Sequence, residues 1–103
     1  MLIVTSKNGV PIRLTGERWD HIVRRHPEMA TLKERVLETV EEPDMIQQGD
    51  FGELLAIKLY AETPLTTKSL VVAYREATVT DGYVLTAYLT SRPSSRRAKL
   101  WKR

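Results

Sequence analysis

At 103 residues, with a net charge of +3 and no cysteine, the chain is long enough for one domain around a single hydrophobic core. The missing thiols exclude disulfides, cysteine nucleophiles and thiolate metal sites. No apolar run approaches the roughly 20 residues that cross a bilayer, and Met1-Leu2-Ile3-Val4 lacks the charged start and cleavage site of a signal peptide, so a cytoplasmic protein without membrane contact is expected.

In chain order, Met1 to Thr5 and Pro11 to Leu14 read as two short strands around a Lys7-Asn8-Gly9 turn, because Asn-Gly favours a type I′ hairpin connection. Thr15 is a plausible N-cap for a first helix running to about Arg25. Trp19, Ile22, Val23 and His26 follow the i, i+3, i+4, i+7 spacing of a buried stripe, and Pro27 stops the helix. A second helix opens with the capping-box pattern Thr31-Leu32-Lys33-Glu34 and runs to about Glu42, before Pro43. Leu32, Val36, Leu37 and Val40 form its apolar face, while Glu34, Glu38, Glu41 and Glu42 make the other side acidic.

From Asp44 the pattern is that of strands: Met45 to Gln48, Glu53 to Ala61, Lys68 to Thr80 and Tyr83 to Ser91, with Gly49-Asp50-Phe51-Gly52 a turn and Thr63-Pro64 a break. Asp81-Gly82 is a strong two-residue hairpin signal. The expected architecture is α+β: a short N-terminal hairpin, then two helices on one face of an antiparallel sheet of about four strands. Residues 1–91 form the domain and 92–103 a basic tail. Six of the 16 Lys and Arg lie in that tail, so residues 1–91 hold ten cations against all 13 acids and carry −3. The basic character is a property of the tail.

A two-residue turn at Asp81-Gly82 sets Thr80 opposite Tyr83, Arg75 opposite Tyr88 and Ala77 opposite Thr86. Leu70, Val72, Tyr74, Leu85, Ala87 and Leu89 then share a face suited to burial beneath the helices. On the preceding strand Leu55, Ile57 and Leu59 share one face, and Lys58 and Tyr60 the other. The second sheet face would gather Lys58, Tyr60, Arg75, Thr86 and Tyr88, cations beside hydroxyl groups, as an anionic backbone requires. A merely solvated sheet face is the alternative, since antiparallel sheets commonly leave one side wet. Helices on the apolar face can bring their side chains to this cluster only around an edge or end of the sheet.

The segment Trp19 to Glu28 holds both histidines and the arginines Arg24 and Arg25. Histidine changes charge nearest neutral pH, and guanidinium groups grip phosphate in a fork; together they point to phosphodiester chemistry. His21 shares a helix side with Arg18, Arg24 and Arg25, and such cations favour a neutral imidazole, which suits a general base. His26 sits at the helix C-terminus, where the dipole favours the protonated form, which suits an acid. One base and one acid is the pairing needed for RNA cleavage by 2′-hydroxyl attack. The alternatives are a helix-end core histidine for His26 and an exposed polar residue for His21. The two lie five residues apart and so point about 140° apart on a helix, which disfavours a shared metal ion; no metal or cofactor is expected. In the tail, Arg96, Arg97 and Lys99 could contact RNA while Trp101 stacks on a base; the alternative is a partly disordered terminus, or one docked through Leu100 and Trp101.

Arg13-Leu14-Thr15 through Trp19, His21-Ile22, His26-Pro27-Glu28, the helix ending at Glu42-Pro43-Asp44, the Leu70-Val71-Val72 strand and Thr86-Ala87-Tyr88 resemble small phage- and prokaryote-associated proteins of the barnase–EndoU–colicin–RelE-like nuclease group. The resemblance covers most of residues 12–91. It implies two helices followed by a four-stranded antiparallel sheet and metal-independent ribonuclease activity of the toxin type. By position, His21 and His26 match the helix histidines, Lys58 and Arg75 the sheet cations, and Thr86 and Tyr88 the polar residues of the final strand.

The expected function is therefore a metal-independent endoribonuclease, toxin-like or phage-defence associated. His21 would be the base and His26 the acid or a support, with Arg75, Thr86 and Tyr88 completing the catalytic set. Arg24, Arg25, Lys58, Tyr60, Arg96, Arg97, Lys99 and Trp101 would bind RNA, whether tRNA or ribosome-bound RNA, and an antitoxin or immunity protein is a further expected partner. The competing readings are a non-catalytic RNA-binding or ribosome-associated module, and a protein-interaction domain whose acidic second helix binds a basic partner.

Overall fold

Gly9, held at a φ of +83°, turns the chain between two short strands, β1 (Leu2–Thr5) and β2 (Pro11–Leu14). The left-handed conformation is cheap there only for glycine, and the Gly9 N–H closes the turn on the Ser6 carbonyl at 2.9 Å. Asn8 is not left-handed, so the turn is not the expected type I′, which needs positive φ at both Asn8 and Gly9. In the computed structural model, which describes all of residues 1–103, Thr15 caps helix α1 (Gly16–Arg25), its hydroxyl accepting from the Arg18 N–H at 3.1 Å. Pro27 ends α1 and starts a single 3₁₀ turn (Pro27–Met29) that leads into α2 (Lys33–Glu41).

The expected capping box at Thr31 does not form: Leu32 occupies the cap position, with no side chain bonded to the helix start. The 3₁₀ turn runs directly into α2, the Leu32 N–H donating to the Met29 carbonyl at 2.8 Å, and Thr31 is left a residue too early. No helix is long and apolar enough to cross a membrane.

Five more strands follow: β3 (Met45–Gln48), β4 (Leu54–Tyr60), β5 (Lys68–Thr78), β6 (Asp81–Thr90) and β7 (Lys99–Lys102). All seven strands form one sheet in the order β1-β2-β6-β5-β4-β3-β7. The α+β class and the two helices agree with expectation; the sheet is larger than the four antiparallel strands expected, and mixed, because β2 runs parallel to the start of β6 through Ile12↔Gly82 and Arg13↔Tyr83. Within the basic segment, β7 pairs antiparallel with β3 and extends the same sheet.

The β5–β6 hairpin turns at Val79-Thr80, with Thr78 opposite Asp81, not at Asp81-Gly82. The Thr78 hydroxyl accepts from the Thr80 N–H at 3.2 Å, a side-chain-closed turn. Gly82 serves a different purpose. A Cβ there would lie 2.5 Å from Ile12 Cδ1 and 2.6 Å from the Arg75 carbonyl, so its bare backbone lets β2 dock. Register shifts leave Ala77 and Leu85 as extra residues, so Arg75 faces Tyr83, Thr86 faces Ala73 and Tyr88 faces Val71. The expected pairs Arg75–Tyr88 and Ala77–Thr86 are thereby corrected.

The main core lies between the helices and one sheet face, where Ile12, Trp19, Ile22, Met29, Val36 and Val40 meet Ala56, Leu70, Val72, Tyr74, Val84 and Ala87. Full burial of each large side chain here contributes about 1.5–3 kcal/mol. The other face carries a second, smaller cluster, Leu55, Ile57, Val71 and Ala73, with Met45, Leu85 and Tyr88 packed against it. Segment 92–98 lies over that cluster, anchored by Gln47 Nε2 donating to the Ser94 carbonyl at 2.7 Å and by the Gln48 N–H donating to the Ala98 carbonyl at 2.9 Å.

Both faces of β4 are therefore apolar, and the expected face assignment inverts. Leu55 and Ile57 point away from the helices, and Leu59, expected to be buried with them, is exposed. Lys58 and Tyr60 belong to the helix side. The Lys58 ammonium donates to the Glu42 carbonyl at the end of α2 at 2.8 Å. The Tyr60 hydroxyl donates to the Glu38 carboxylate, with Arg35 stacked on its ring at 5.0 Å. Burial, and the carboxylate that accepts its proton, push the Tyr60 phenol well above its ordinary range.

The sheet curls until its two ends meet beside α2. Lys7, which follows β1, stacks over the ring of Trp101 in β7 at 5.1 Å and lies 3.4 Å from the Glu42 carboxylate, which Arg103 also approaches at 3.9 Å.

Candidate active site

Pro27 is the residue that aims His26. Proline disfavours the α conformation in the residue before it, and His26 takes φ −134°, ψ 77°, while its N–H still closes the helix on the Ile22 carbonyl at 2.8 Å. Its ring swings out of the helical stripe to lie 5.9 Å from the Tyr88 ring, tilted by 36°.

The route to Tyr88 is the edge of β6. Strand β2 covers that edge only as far as Tyr83. Beyond it α1 takes over, with Arg18 donating to the Leu85 carbonyl at 3.2 Å. Tyr88 faces Val71 on the side of the sheet away from the helices, so His26, at the exit of a helix on one face, reaches a phenol on the other.

Glu28 flanks the histidine. Its carboxylate lies 3.7 Å from His26 Nδ1, with 23% of the Glu28 side chain and 35% of the His26 side chain exposed.

On the other side of Tyr88, the overlying segment supplies cations. A cavity of about 140 Å³ is bounded by Leu55, Ile57 and Val71 as floor, by Gln47, Tyr88 and Thr90, and by Arg92, Pro93, Ser94 and Arg97. Arg97 is fixed by a two-pronged pair with Asp50, at 2.7 and 3.2 Å, and this bond raises its already high proton affinity. Of the five guanidinium N–H groups, Asp50 engages two and leaves three for an anion.

The expected site residues do not all converge. His26, Tyr88 and Arg97 come together, with Thr86 two residues along the same strand face as Tyr88. His21 stands apart: exposed, it lines an open depression of about 320 Å³ with Thr15, Glu17 and Arg18. Arg24 and Arg25 end α1 exposed, and Arg96 and Lys99 are exposed on the C-terminal segment. Arg75 lies at the far end of the sheet face, donating to the Phe51 carbonyl at 3.1 Å. Lys58, Tyr60 and Trp101 are engaged on the helix side.

Glu28, Thr90 and Arg92 are not among the site residues expected from the sequence. Glu28 carried a signal, standing directly after the proline that turns His26. Arg92 belongs to the expected basic tail, but its place beside Tyr88 depends on how the last segment folds back. No group of three or more His, Asp or Glu side chains is placed to hold a metal ion. Comparisons with protein-family models, with curated proteins and with solved structures find no match to this chain.

Proposed function

We propose that the protein is a metal-independent endoribonuclease of the toxin-like type, cleaving RNA by attack of a 2′-hydroxyl on the adjacent phosphate. The observation that carries this reading is the meeting of His26 with Tyr88, 5.9 Å between rings, on a sheet face bounded by Arg92 and Arg97. In the proposed reaction His26 Nε2 removes the 2′-hydroxyl proton, and the oxygen forms a bond to phosphorus. The 5′-oxygen leaves with a proton from the Tyr88 hydroxyl, giving a 2′,3′-cyclic phosphate and a 5′-hydroxyl. Arg97, with Arg92, stabilises the charge that builds on the phosphoryl oxygens.

This assigns to His26 the base role first expected of His21, which serves instead with Arg18 at the substrate's periphery. The RNA is tRNA or ribosome-bound RNA, and a toxin-like activity calls for an antitoxin or immunity protein in the producing cell. The test is cleavage of labelled tRNA and total RNA in excess EDTA by wild type, His26→Ala and Tyr88→Phe. Intact RNA at high protein concentration, or a His26→Ala variant as active as wild type, overturns the reading.

A second reading draws on the six cations of residues 92–103: a non-catalytic RNA-binding module. It predicts salt-sensitive binding without cleavage products. The acidic side of α2 gives less support to a protein-docking role, since Glu38 and Glu42 are engaged within the molecule by Tyr60, Lys7 and Arg103.

A further inference from the structure

The only phenylalanine of the chain, Phe51, is 82% exposed. It stands at the tip of the β3–β4 turn, and the backbone around it is fixed from several sides. The Gly49 N–H donates to the Glu53 carbonyl at 2.8 Å, and the Phe51 N–H to Glu53 Oε1 at 2.8 Å. Arg75 holds the Phe51 carbonyl, Arg97 holds Asp50, and Gly52 adopts a φ of +82° that closes the turn. An aromatic ring in water contributes nothing to the core, yet this one is presented on a loop whose ordering entropy is already spent.

We propose that Phe51 is a stacking platform for a nucleobase of single-stranded RNA whose phosphates run past Arg97 to Tyr88. The inference rests on RNA as the ligand of the Tyr88 face and adds the class of substrate: an unpaired strand, because a base is open to stacking on a ring only when it is not held in a duplex. The charges bordering the platform are Arg75, Arg96 and Arg97 against Asp50 and Glu53, and both acids are already bonded within the turn or to Arg97. The excess is cationic, as a strand's backbone requires. Arg75 and Val71, the partner of Tyr88, are four residues apart on β5, roughly 13 Å by strand rise. About four nucleotides at duplex spacing cover that distance, and fewer in an extended strand.

The experiment uses a fluorescein-labelled 2′-O-methyl RNA of about twelve nucleotides, which binds and stacks but carries no attacking hydroxyl, at low salt and with a hairpin duplex for comparison. Wild type is expected to bind the single strand more tightly than the duplex. Phe51→Ala is expected to weaken single-strand binding about 5- to 150-fold, the range for one lost base stack. Phe51→Trp is expected to retain affinity, with its emission quenched at saturation beyond any change in wild type. Unchanged affinity in Phe51→Ala, or an unquenched Phe51→Trp at saturation, overturns the platform, including the outcome in which Phe51 serves a protein partner instead. If His26-dependent cleavage is present while Phe51→Ala binds normally, the platform alone fails. If wild type binds no oligonucleotide, the platform and its RNA premise fail together.

Discussion

His26 meets Tyr88 around the edge of β6, ring to ring at 5.9 Å, although one belongs to the helical layer and the other to the opposite face of the sheet. The contact depends on β2 pairing with β6 only at its first residues, which leaves the later edge to α1 and to the turn that Pro27 imposes. A fully paired β6 would have put a strand between them. The only route from a helix on one face to a polar group on the other is also what separates the roles of the two histidines.

The first prediction follows from that separation. His26→Ala is expected to lower the rate of RNA cleavage by about 10²–10⁴-fold, the usual scale for a lost proton-transfer group, while His21→Ala changes it only a few-fold. Tyr88→Phe is expected to fall on the His26 side of this division. Initial rates on labelled tRNA in excess EDTA decide it, and a larger loss in His21→Ala than in His26→Ala would return the base role to His21.

Gly82→Ala tests the β2–β6 junction. The new methyl would lie 2.6 Å from the Arg75 carbonyl, which is backbone and cannot swing away, and 2.5 Å from the tip of Ile12. Such overpacking costs about 1–3 kcal/mol. Thermal denaturation is expected to show a fall of about 4–8 °C per kcal/mol lost. A wild-type melting temperature would mean that β2 does not dock as closely as described.

Several elements were legible in the sequence because their signals are local. Thr15, Pro27 and the Lys7-Asn8-Gly9 turn act on their immediate neighbours, and the stripe of Trp19 and Ile22 needs only helical periodicity to be found. Local signals misplace the β5–β6 register, because Asp81-Gly82 has the chemistry of a turn whereas Gly82 is required by a strand distant in sequence. Which face of β4 meets the helices could not be read from alternation, because Leu55 and Ile57 are covered by segment 92–98, and the apolar stem of Lys58 lets a cation lie along the helix side. Strand β7 has no local signal, because Lys99-Leu100-Trp101-Lys102 is short and charged, and the pairing that makes it a strand lies in β3. The position of Tyr88 relative to His26 inherits all of these non-local terms.

Removing residues 92–103 is expected to do more than lower RNA affinity. The deletion takes away β7, strips the cover from Leu55, Ile57 and Val71, and leaves buried Gln47 without the Ser94 carbonyl that accepts its N–H. An unpaired edge at β3 beside exposed apolar side chains favours association. Chain 1–91 is therefore expected to bind a hydrophobic dye and to melt well below the full chain. Equal stability and no dye binding would show that the segment is an appendage after all.

Tyr74 supplies a prediction of opposite sign. Its side chain is fully buried, and its hydroxyl has no hydrogen-bond partner in the core. A buried, unpaired hydroxyl costs free energy that its removal returns, so Tyr74→Phe is expected to be neutral or stabilising by about 1 kcal/mol in urea denaturation near pH 7. Burial, with Glu76 nearby, pushes the Tyr74 phenol well above its ordinary range. The folded protein therefore holds this proton more tightly than the unfolded chain, whose tyrosines titrate near pH 10. Above that pH the unfolded state binds fewer protons, so stability falls as pH rises. Tyr74→Phe removes this source of the decline and should flatten the alkaline limb of the stability profile between about pH 9 and pH 11, while Tyr60, raised in the same direction, retains its own share. Urea midpoints of wild type and variant at both pH values measure the difference. A variant clearly less stable than wild type at neutral pH would show that the hydroxyl is satisfied in solution, and parallel alkaline limbs would show that the phenol titrates as though exposed.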